Sequence, residues 1–147
     1  MKWLLFVCFV LCTATFTAVQ AQTYLPGLWS GELTQGGETY KFELFIERKK
    51  QKLTGRTYIY LPDQTVVTME FNGLLHKDLS MNIYELKRIE PVEGNDSIYF
   101  LRTFQLAYDR QFNSLKMTGY WQERHRSATD KKRRYGRVFL TRRTDKA

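Results

Sequence analysis

The sequence predicts an all-β protein, an eight-stranded antiparallel up-and-down β-barrel. Eight short runs alternate apolar and polar residues with the period of two that strands require, turn residues separate most of them at short intervals, and no stretch of useful length has helical periodicity. Strands joined in order need no crossover connection, and closing the sheet removes its exposed edges. A barrel is therefore favoured over a sandwich.

In each of the first four predicted strands, alternate residues form an inward face. The turns between these strands contain paired glycines, a lysine run and a Pro-Asp pair, all of which favour chain reversal. Inward glycines mark places where a tightly coiled sheet must bend. The inward residues are Trp29, Gly31 and Leu33; Tyr40, Phe42, Leu44 and Ile46; Leu53, Gly55, Thr57, Ile59 and Leu61; and Val67, Met69, Phe71 and Gly73.

The other four strands follow the same pattern, with one loop rich in turn residues after the fifth strand and a basic loop after the seventh. The first of these loops contains Asn95-Asp96-Ser97, an N-glycosylation acceptor that matters only in a host that glycosylates. The inward residues are Leu79, Met81 and Ile83; Ile98, Phe100, Phe104, Leu106 and Tyr108; Leu115, Met117, Gly119 and Trp121; and Val138, Leu140 and Arg142.

Residues 1–21 have the layout of a secretory signal peptide. Lys2 precedes an apolar run, and Val19-Gln20-Ala21 places small residues at the cleavage positions. We expect residues 22–147 to form a single β-barrel domain in a secreted or periplasmic protein. Cys8 and Cys12 fall in the removed segment and follow large residues, whereas lipidation needs a small one, so neither a disulfide nor a membrane anchor is expected.

The first strand opens with Gly27-Leu28-Trp29, which resembles the Gly-x-Trp motif of the calycin superfamily of lipocalins, avidins and fatty-acid-binding proteins. Arg142 or Arg143 resembles the basic residue of their last strand that lies over this tryptophan. The resemblance implies a lipocalin- or avidin-like barrel with Trp29 and Arg142 as a structural plug, joined by a cation–π contact worth about 0.5 to 2 kcal/mol. The chain is also similar to uncharacterised exported proteins of Bacteroidota, which implies no particular activity.

The sequence offers no catalytic constellation. It lacks a nucleophile elbow, a zinc-protease motif and a phosphate-binding loop, and its histidines, His76 and His125, lie in separate loops. Two isolated histidines are rarely metal ligands. The polar residues that hold biotin in avidins are not recognisable either. We therefore expect a binding protein with no enzyme activity, no cofactor and no metal.

Positive charge is concentrated near the end of the chain. From Arg124 onward there are ten Lys or Arg residues against Asp130 and Asp145, within a formal net charge of +8. Alternate loops of an up-and-down barrel share an end, so the basic loop is expected at the end opposite Trp29. Such a region can meet an anionic partner or can simply be solvated. Its candidate residues, the basic rim, are Arg124, Arg126, Lys131, Lys132, Arg133 and Arg134.

Two charges are predicted inside the barrel. Pairing the fifth and sixth strands so that Ile83 lies opposite Phe104 matches their apolar faces and places Glu85 opposite Arg102, with Gly119 beside the arginine. Lone buried charges are costly, so the two are expected to pair, either as a structural ion pair or as the anchor of a ligand headgroup. The other candidate ligand contacts in the interior are Tyr40, Phe42, Met69, Phe104 and Met117.

Three functions are consistent with these features. The first is a small amphipathic or anionic ligand held in the barrel, since eight strands enclose room for side chains or one small ligand. The second is a filled barrel that binds acidic polymers, such as a polysaccharide or envelope component rather than nucleic acid, through the basic loop. The third is a structural envelope protein. Leu101, Tyr120 and Phe139 are expected on the outer surface, where they could form an apolar stripe.

Overall fold

The computed structural model describes residues 25–89, 100–111, 114–124 and 133–142. The chain forms eight antiparallel strands that pair in sequence order, and β1 pairs with β8 to close the sheet. The prediction of an eight-stranded barrel is therefore confirmed. The strands are β1 Gly27–Gln35, β2 Glu38–Lys49, β3 Lys52–Tyr60, β4 Val66–Leu75, β5 Ser80–Arg88, β6 Arg102–Gln111, β7 Ser114–Glu123 and β8 Tyr135–Arg142.

Two residues predicted at strand ends belong to turns instead. Leu61 follows β3, and its amide donates to the Thr65 carbonyl at 2.8 Å. Leu79 precedes β5 with a φ of 64°, and its amide donates to the His76 carbonyl at 3.1 Å. Both leucines still pack against the core. Their inward orientation is right, but the predicted strands are one residue too long because local turn hydrogen bonds replace the ladder.

The inward faces of the strands form one hydrophobic core. Its members come from all eight strands, and the outward faces carry charged pairs such as Lys41 with Glu43 and Lys87 with Glu70. The alternation in the sequence therefore separates a packed interior from an exterior that carries most of the charged side chains. Within the part of the chain that the structure describes, no helix has the length and apolar character needed to cross a membrane.

One end of the barrel, the Trp29 end, is closed by a buried tryptophan. Trp29 is fully buried, its Nε1 donates to the Leu25 carbonyl at 2.9 Å, and its ring meets the Tyr108 ring edge-on at 5.7 Å between centroids. Arg142 pairs with Trp29 in the β1–β8 register, but among the described residues no cation–π contact joins the two. The Arg142 guanidinium instead lies beside Gly27: a Cβ atom added to this glycine would be 3.2 Å from the Arg142 Nη2 atom.

The expected cation–π plug is therefore wrong for Arg142, and Arg143, the other candidate, lies outside the described residues. The indole of Trp29 is already engaged by the Leu25 carbonyl and the Tyr108 ring. These two contacts hold the tryptophan in place.

Inward glycines lie where neighbouring backbones approach closely. A Cβ at Gly119 would stand 2.0 Å from the Gln105 carbonyl oxygen, and one at Gly31 would stand 1.9 Å from that of Phe139. Real Cβ atoms essentially never come within 3.0 Å of another heavy atom. Any side chain at these positions would therefore push adjacent strands apart.

Replacing Gly119 by alanine should destabilise the barrel, because the new methyl group overlaps the backbone of β6 and overpacking costs roughly 1 to 3 kcal/mol. Urea unfolding followed by tryptophan fluorescence measures the loss. Gly36→Asn is the matched control, since Gly36 has a φ of 61°, which asparagine tolerates, and open space around its Cβ position. Equal stability of Gly119→Ala and wild type would contradict the close approach.

Candidate functional site

A buried ion pair lies inside the barrel near the end opposite Trp29, which we call the Arg102 end. Glu85 on β5 and Arg102 on β6 are 0% and 1% exposed, and the Arg102 Nη1 atom lies 3.7 Å from the Glu85 Oε2 atom. The β5–β6 ladder pairs Ile83 with Phe104. The predicted register and the inward pairing of the two charges are therefore confirmed.

Hydrogen bonds hold the Glu85 carboxylate in place. The Thr57 hydroxyl donates to its Oε1 atom at 2.7 Å, and the backbone amide of Arg102 donates to its Oε2 atom at 2.8 Å. A buried carboxylate is costly unless such donors replace the water it has lost. The Glu85 carboxylate thus connects β5 to β6 through the Arg102 amide and, across the interior, to β3 through Thr57.

A β-bulge determines which residues of β5 face inward. The β4–β5 register shifts so that Glu70 pairs with Lys87 but Phe71 pairs with Glu85. Leu86 is the extra residue, and both Leu86 and Lys87 are exposed. Simple alternation would turn Lys87 inward after Glu85, so the bulge turns Lys87 outward, where it pairs with Glu70, and brings Arg88 opposite Met69.

The Arg102 guanidinium packs against two aromatic rings. Its Cζ atom lies 4.2 Å from the centroid of Phe100 and 5.0 Å from that of Trp121. Its Nη2 atom donates to the Gln35 side-chain oxygen at 2.9 Å, and its Nη1 atom donates to the Phe100 carbonyl at 3.4 Å. Cation–π contacts gain strength when they are desolvated, as here.

Two expectations about the neighbours of Arg102 are corrected. Gly119 pairs with Leu106, not with Arg102, whose partner on β7 is Glu123. The space beside the guanidinium is filled by the Trp121 ring rather than left open. Phe100 precedes β6 instead of lying within it, because the ladder begins at Arg102.

Burial dominates the electrostatics of the pair. It raises the pKa of Glu85 above its ordinary value, and the Arg102 charge and the Thr57 hydroxyl oppose only part of that rise. Burial also lowers the pKa of Arg102, against the attraction of Glu85. Desolvation of both groups therefore exceeds the attraction between them, which is typical of a buried salt bridge.

The other predicted interior residues fill the barrel. Phe42, Met69, Phe104 and Met117 are all between 0% and 3% exposed, and the Phe42 and Phe104 rings stack with centroids 5.6 Å apart. A cavity large enough for water would show as accessible surface on the side chains around it. These four side chains therefore pack with no room for a ligand between them. Tyr40 differs, because it is only half-buried and lies at the Arg102 end.

A groove of about 730 Å³ opens at the Arg102 end. We call it the rim groove. One wall is the β1–β2 turn, and the other is the segment that leads into β8. Its lining residues are Gln35, Gly36, Gly37, Glu38, Tyr40, Arg133, Arg134 and Tyr135. It thus combines two guanidinium groups, one carboxylate and two phenols, and Tyr135 is 76% exposed.

The structure places half of the predicted basic rim. Arg133 and Arg134 line the rim groove, and the Nη1 atom of Arg124 donates to the Glu85 carbonyl at 3.4 Å. Arg134 forms an ion pair with Glu123 at 3.8 Å. The other members, Arg126, Lys131 and Lys132, lie outside the described residues.

The predicted outer stripe is only partly formed. Tyr120 and Phe139 are 59% and 47% exposed on the neighbouring strands β7 and β8. Leu101 is instead half-buried against the core, and its carbonyl accepts a hydrogen bond from the Arg124 amide. The expected three-residue stripe is therefore wrong for Leu101. This residue precedes β6 and lies at the Arg102 end of the barrel, not on its outer wall.

Four residues of this site were not predicted to take part in it. The sequence predicts Thr57 and Trp121 only as inward-facing barrel residues, and Gln35 stands directly before the paired glycines of a predicted turn. A polar Thr57 on an apolar inward face was a usable signal, since a buried hydroxyl needs a partner. The roles of Gln35 and Phe100 had no signal, because their contacts with Arg102 span a barrel end that the strand pattern does not describe.

The described residues contain no group of three or more His, Cys, Asp or Glu side chains arranged to hold a metal ion. His76 lies beside Asn82, with 3.1 Å between its Nε2 atom and the asparagine Nδ2 atom. His125 lies outside the described residues.

Comparisons with known proteins bear on the fold. No protein-family model matches the chain, and a search of curated proteins finds no relative. The chain is similar to a solved structure described as EF1p2_mFAP2b bound to DFHBI, with a TM-score of 0.57 and 14% sequence identity over 85% of this chain and 96% of that one. That neighbour is also a closed eight-stranded barrel, and it is bound to a small molecule. At this identity the likeness concerns the fold.

The two charges should behave as a unit when they are replaced. Glu85→Leu or Arg102→Met alone should cost roughly 3 to 5 kcal/mol of unfolding free energy, because each strands a buried charge, whereas the double variant should be nearly neutral. Urea unfolding of the four proteins gives the coupling energy. Additive losses in the double variant would contradict a paired arrangement.

The contribution of Glu85 to stability should fall as pH rises. Because the folded-state pKa is raised, the contribution is complete below the unfolded pKa of about 4.3 and is lost as pH increases through the higher folded value. The unfolding free energy of wild type minus that of Glu85→Gln should therefore decrease from about pH 4 toward neutrality. Urea unfolding across this range tests the sign, and an increase would mean that the pKa is lowered instead.

Proposed function

We propose that this protein is an exported, non-enzymatic binding barrel that holds an anionic polysaccharide at its Arg102 end. The observation that carries the proposal is the rim groove, where Arg133 and Arg134 lie beside the exposed ring of Tyr135. The packed interior supports the same conclusion, since it leaves the outer surfaces as the places where a large ligand can bind.

The chemistry of the rim groove suits a carboxylated or sulfated sugar. Guanidinium groups bind carboxylates with two parallel hydrogen bonds and bind other oxyanions similarly. An exposed tyrosine such as Tyr135 offers a flat apolar face and a hydroxyl to a sugar ring. Arg124, Arg133 and Arg134 at this end add a positive field that attracts anions.

Glu38 favours a polysaccharide over a nucleic acid. Its exposed carboxylate in the groove wall can accept hydrogen bonds from the hydroxyl groups of a sugar chain, which the backbone of DNA does not offer. The groove therefore carries both a site for an acidic substituent and a site for hydroxyl groups. Nucleic acid is a separate outcome of the test below.

Export and family are further parts of the proposal. The charged start, apolar run and small residues of residues 1–21 support a secretory signal, with residues 22–147 as one barrel domain in a secreted or periplasmic protein without a membrane anchor. The Gly27-Leu28-Trp29 opening supports a distant kinship with calycin-like barrels, including the exported proteins of Bacteroidota.

A small amphipathic or anionic ligand in the barrel is the second candidate function. It is supported by the neighbouring structure, which is a barrel of the same type bound to DFHBI. In this chain such a ligand would displace packed side chains and approach Arg102, whose Nε atom makes no hydrogen bond within the described residues. Rim charges would then steer its capture more than they would hold it.

Neutralising the groove should weaken binding to an acidic polysaccharide. The Arg133→Gln/Arg134→Gln variant should lose retention on immobilised heparin and should show a smaller salt dependence of affinity, because fewer counterions are released. Arg56→Gln/Lys116→Gln is the matched control, since it removes the same charge from exposed positions on the barrel wall.

If both variants lose heparin retention equally, binding depends on net charge alone and the rim groove is not a specific site. Tighter binding of single-stranded DNA than of heparin by wild type would replace polysaccharide with nucleic acid. A slower capture of a small ligand with unchanged affinity would favour the second candidate function.

A further inference from the structure

The buried arginine reaches the first wall of the rim groove. The Nη2 atom of Arg102 donates to the side-chain oxygen of Gln35, the last residue of β1, at 2.9 Å. Gly36 and Gly37 follow directly, with φ values of 61° and 86°, and line the groove. Glycines in a turn are the most mobile positions of a backbone, so a fixed Gln35 limits the movement of this wall.

The same arginine reaches the second wall through an aromatic ring. The Phe100 ring centroid lies 4.2 Å from the Arg102 Cζ atom and 4.8 Å from the Arg134 Cζ atom. The Phe100 carbonyl also accepts a hydrogen bond from Arg102 at 3.4 Å. Two guanidinium groups thus share one ring. Glu123 holds the Arg134 backbone, since its amide donates to the Arg134 carbonyl at 2.7 Å, while the Phe100 ring that Arg102 holds packs against the Arg134 guanidinium.

Glu85 makes this arrangement stable. Arg134 repels Arg102, whereas Glu85 attracts it, and both effects act on a guanidinium that is 1% exposed. Glu85 is itself held by the Thr57 hydroxyl and the Arg102 amide. In a closely packed interior a side chain anchored in this way has one arrangement available, so its outer contacts are fixed as well.

From these contacts we propose that the Glu85–Arg102 pair positions both walls of the rim groove, with Arg102 as a positioning residue that does not itself touch the ligand. The effect on polysaccharide affinity rests on the proposed function. The positioning of the groove walls by the ion pair does not depend on it. Preorganised side chains need not be ordered when the ligand arrives, so the pair raises affinity without adding a contact.

The test uses two variants. Glu85→Leu/Arg102→Met removes both charges and both wall contacts, while Gln35→Leu keeps the pair and removes only the contact with the first wall. NMR relaxation measures order parameters at the backbone amides of Gly36 and Gly37 and at the side-chain Nε–H of Arg134. In the double variant all three should fall, the glycines toward about 0.6, the value of a flexible backbone, and in Gln35→Leu only the two glycines should change.

Lys50 in the β2–β3 turn at the Trp29 end is the internal control and should not change in either variant. Arg102→Lys adds a conservative comparison, because one ammonium group cannot serve Glu85 and Gln35 with the geometry of a guanidinium fork. It should loosen the first wall although it keeps the charge. Wild-type rigidity of the turn in Arg102→Lys and in the double variant would overturn the proposal.

Heparin binding supplies the functional measurement. The double variant should bind about tenfold more weakly, because two wall side chains must now be ordered on binding, while the salt dependence of affinity stays at the wild-type value. Loss of salt dependence would mean that Arg102 contacts the ligand and would overturn its positioning role. If wild type fails to bind heparin while the walls loosen as expected, the proposed function is wrong and the positioning of the walls stands.

Discussion

The narrow interior of an eight-stranded barrel is the constraint on which the rest of this structure depends. In this barrel the side chains of the strands fill the interior, and each end must be covered by residues that also satisfy the last backbone groups. Trp29 does this at one end by donating to the Leu25 carbonyl. At the other end Trp121 donates to the Thr34 carbonyl, also at 2.9 Å. Two indoles thus close the barrel by the same kind of contact.

The two ends differ in what accompanies the tryptophan. At the Trp29 end its neighbours are Leu25 and the Tyr108 ring. At the Arg102 end a guanidinium, a carboxylate and a threonine hydroxyl are buried beside Trp121. The Trp29 end also holds a guanidinium, that of Arg142 near Gly27, but the fully buried ion pair lies at the Arg102 end, and burying that pair costs desolvation free energy. The end with the costly polar contacts is also the end that carries the rim groove, which is the basis for connecting the two.

The strand pattern was predictable from the sequence because alternation directly reflects a packed interior. It placed Ile83 opposite Phe104, and from that register the Glu85–Arg102 pair followed. The bulge at Leu86 was not predictable, since one extra residue changes the local pattern too little to be seen beside a charged strand end. Contacts across the barrel end, such as Arg102 with Gln35, depend on curvature and closure, which strand periodicity does not encode.

The ion pair also bears on how β5 and β6 find their register. In a hairpin with a short turn the turn fixes the register, but residues 89–101 separate these two strands. A slip of one residue would turn apolar faces outward and is excluded by burial. A slip of two residues would still place apolar side chains opposite one another, so hydrophobicity alone does not exclude it. It would, however, place Glu85 opposite Phe104.

Such a slip would leave a buried carboxylate without its arginine, at a cost of several kcal/mol. Two apolar residues at positions 85 and 102 would close the barrel end equally well but would penalise this slip far less. The pair therefore contributes specificity of register where turn length cannot supply it, and the groove walls attached to Arg102 take their positions from that register.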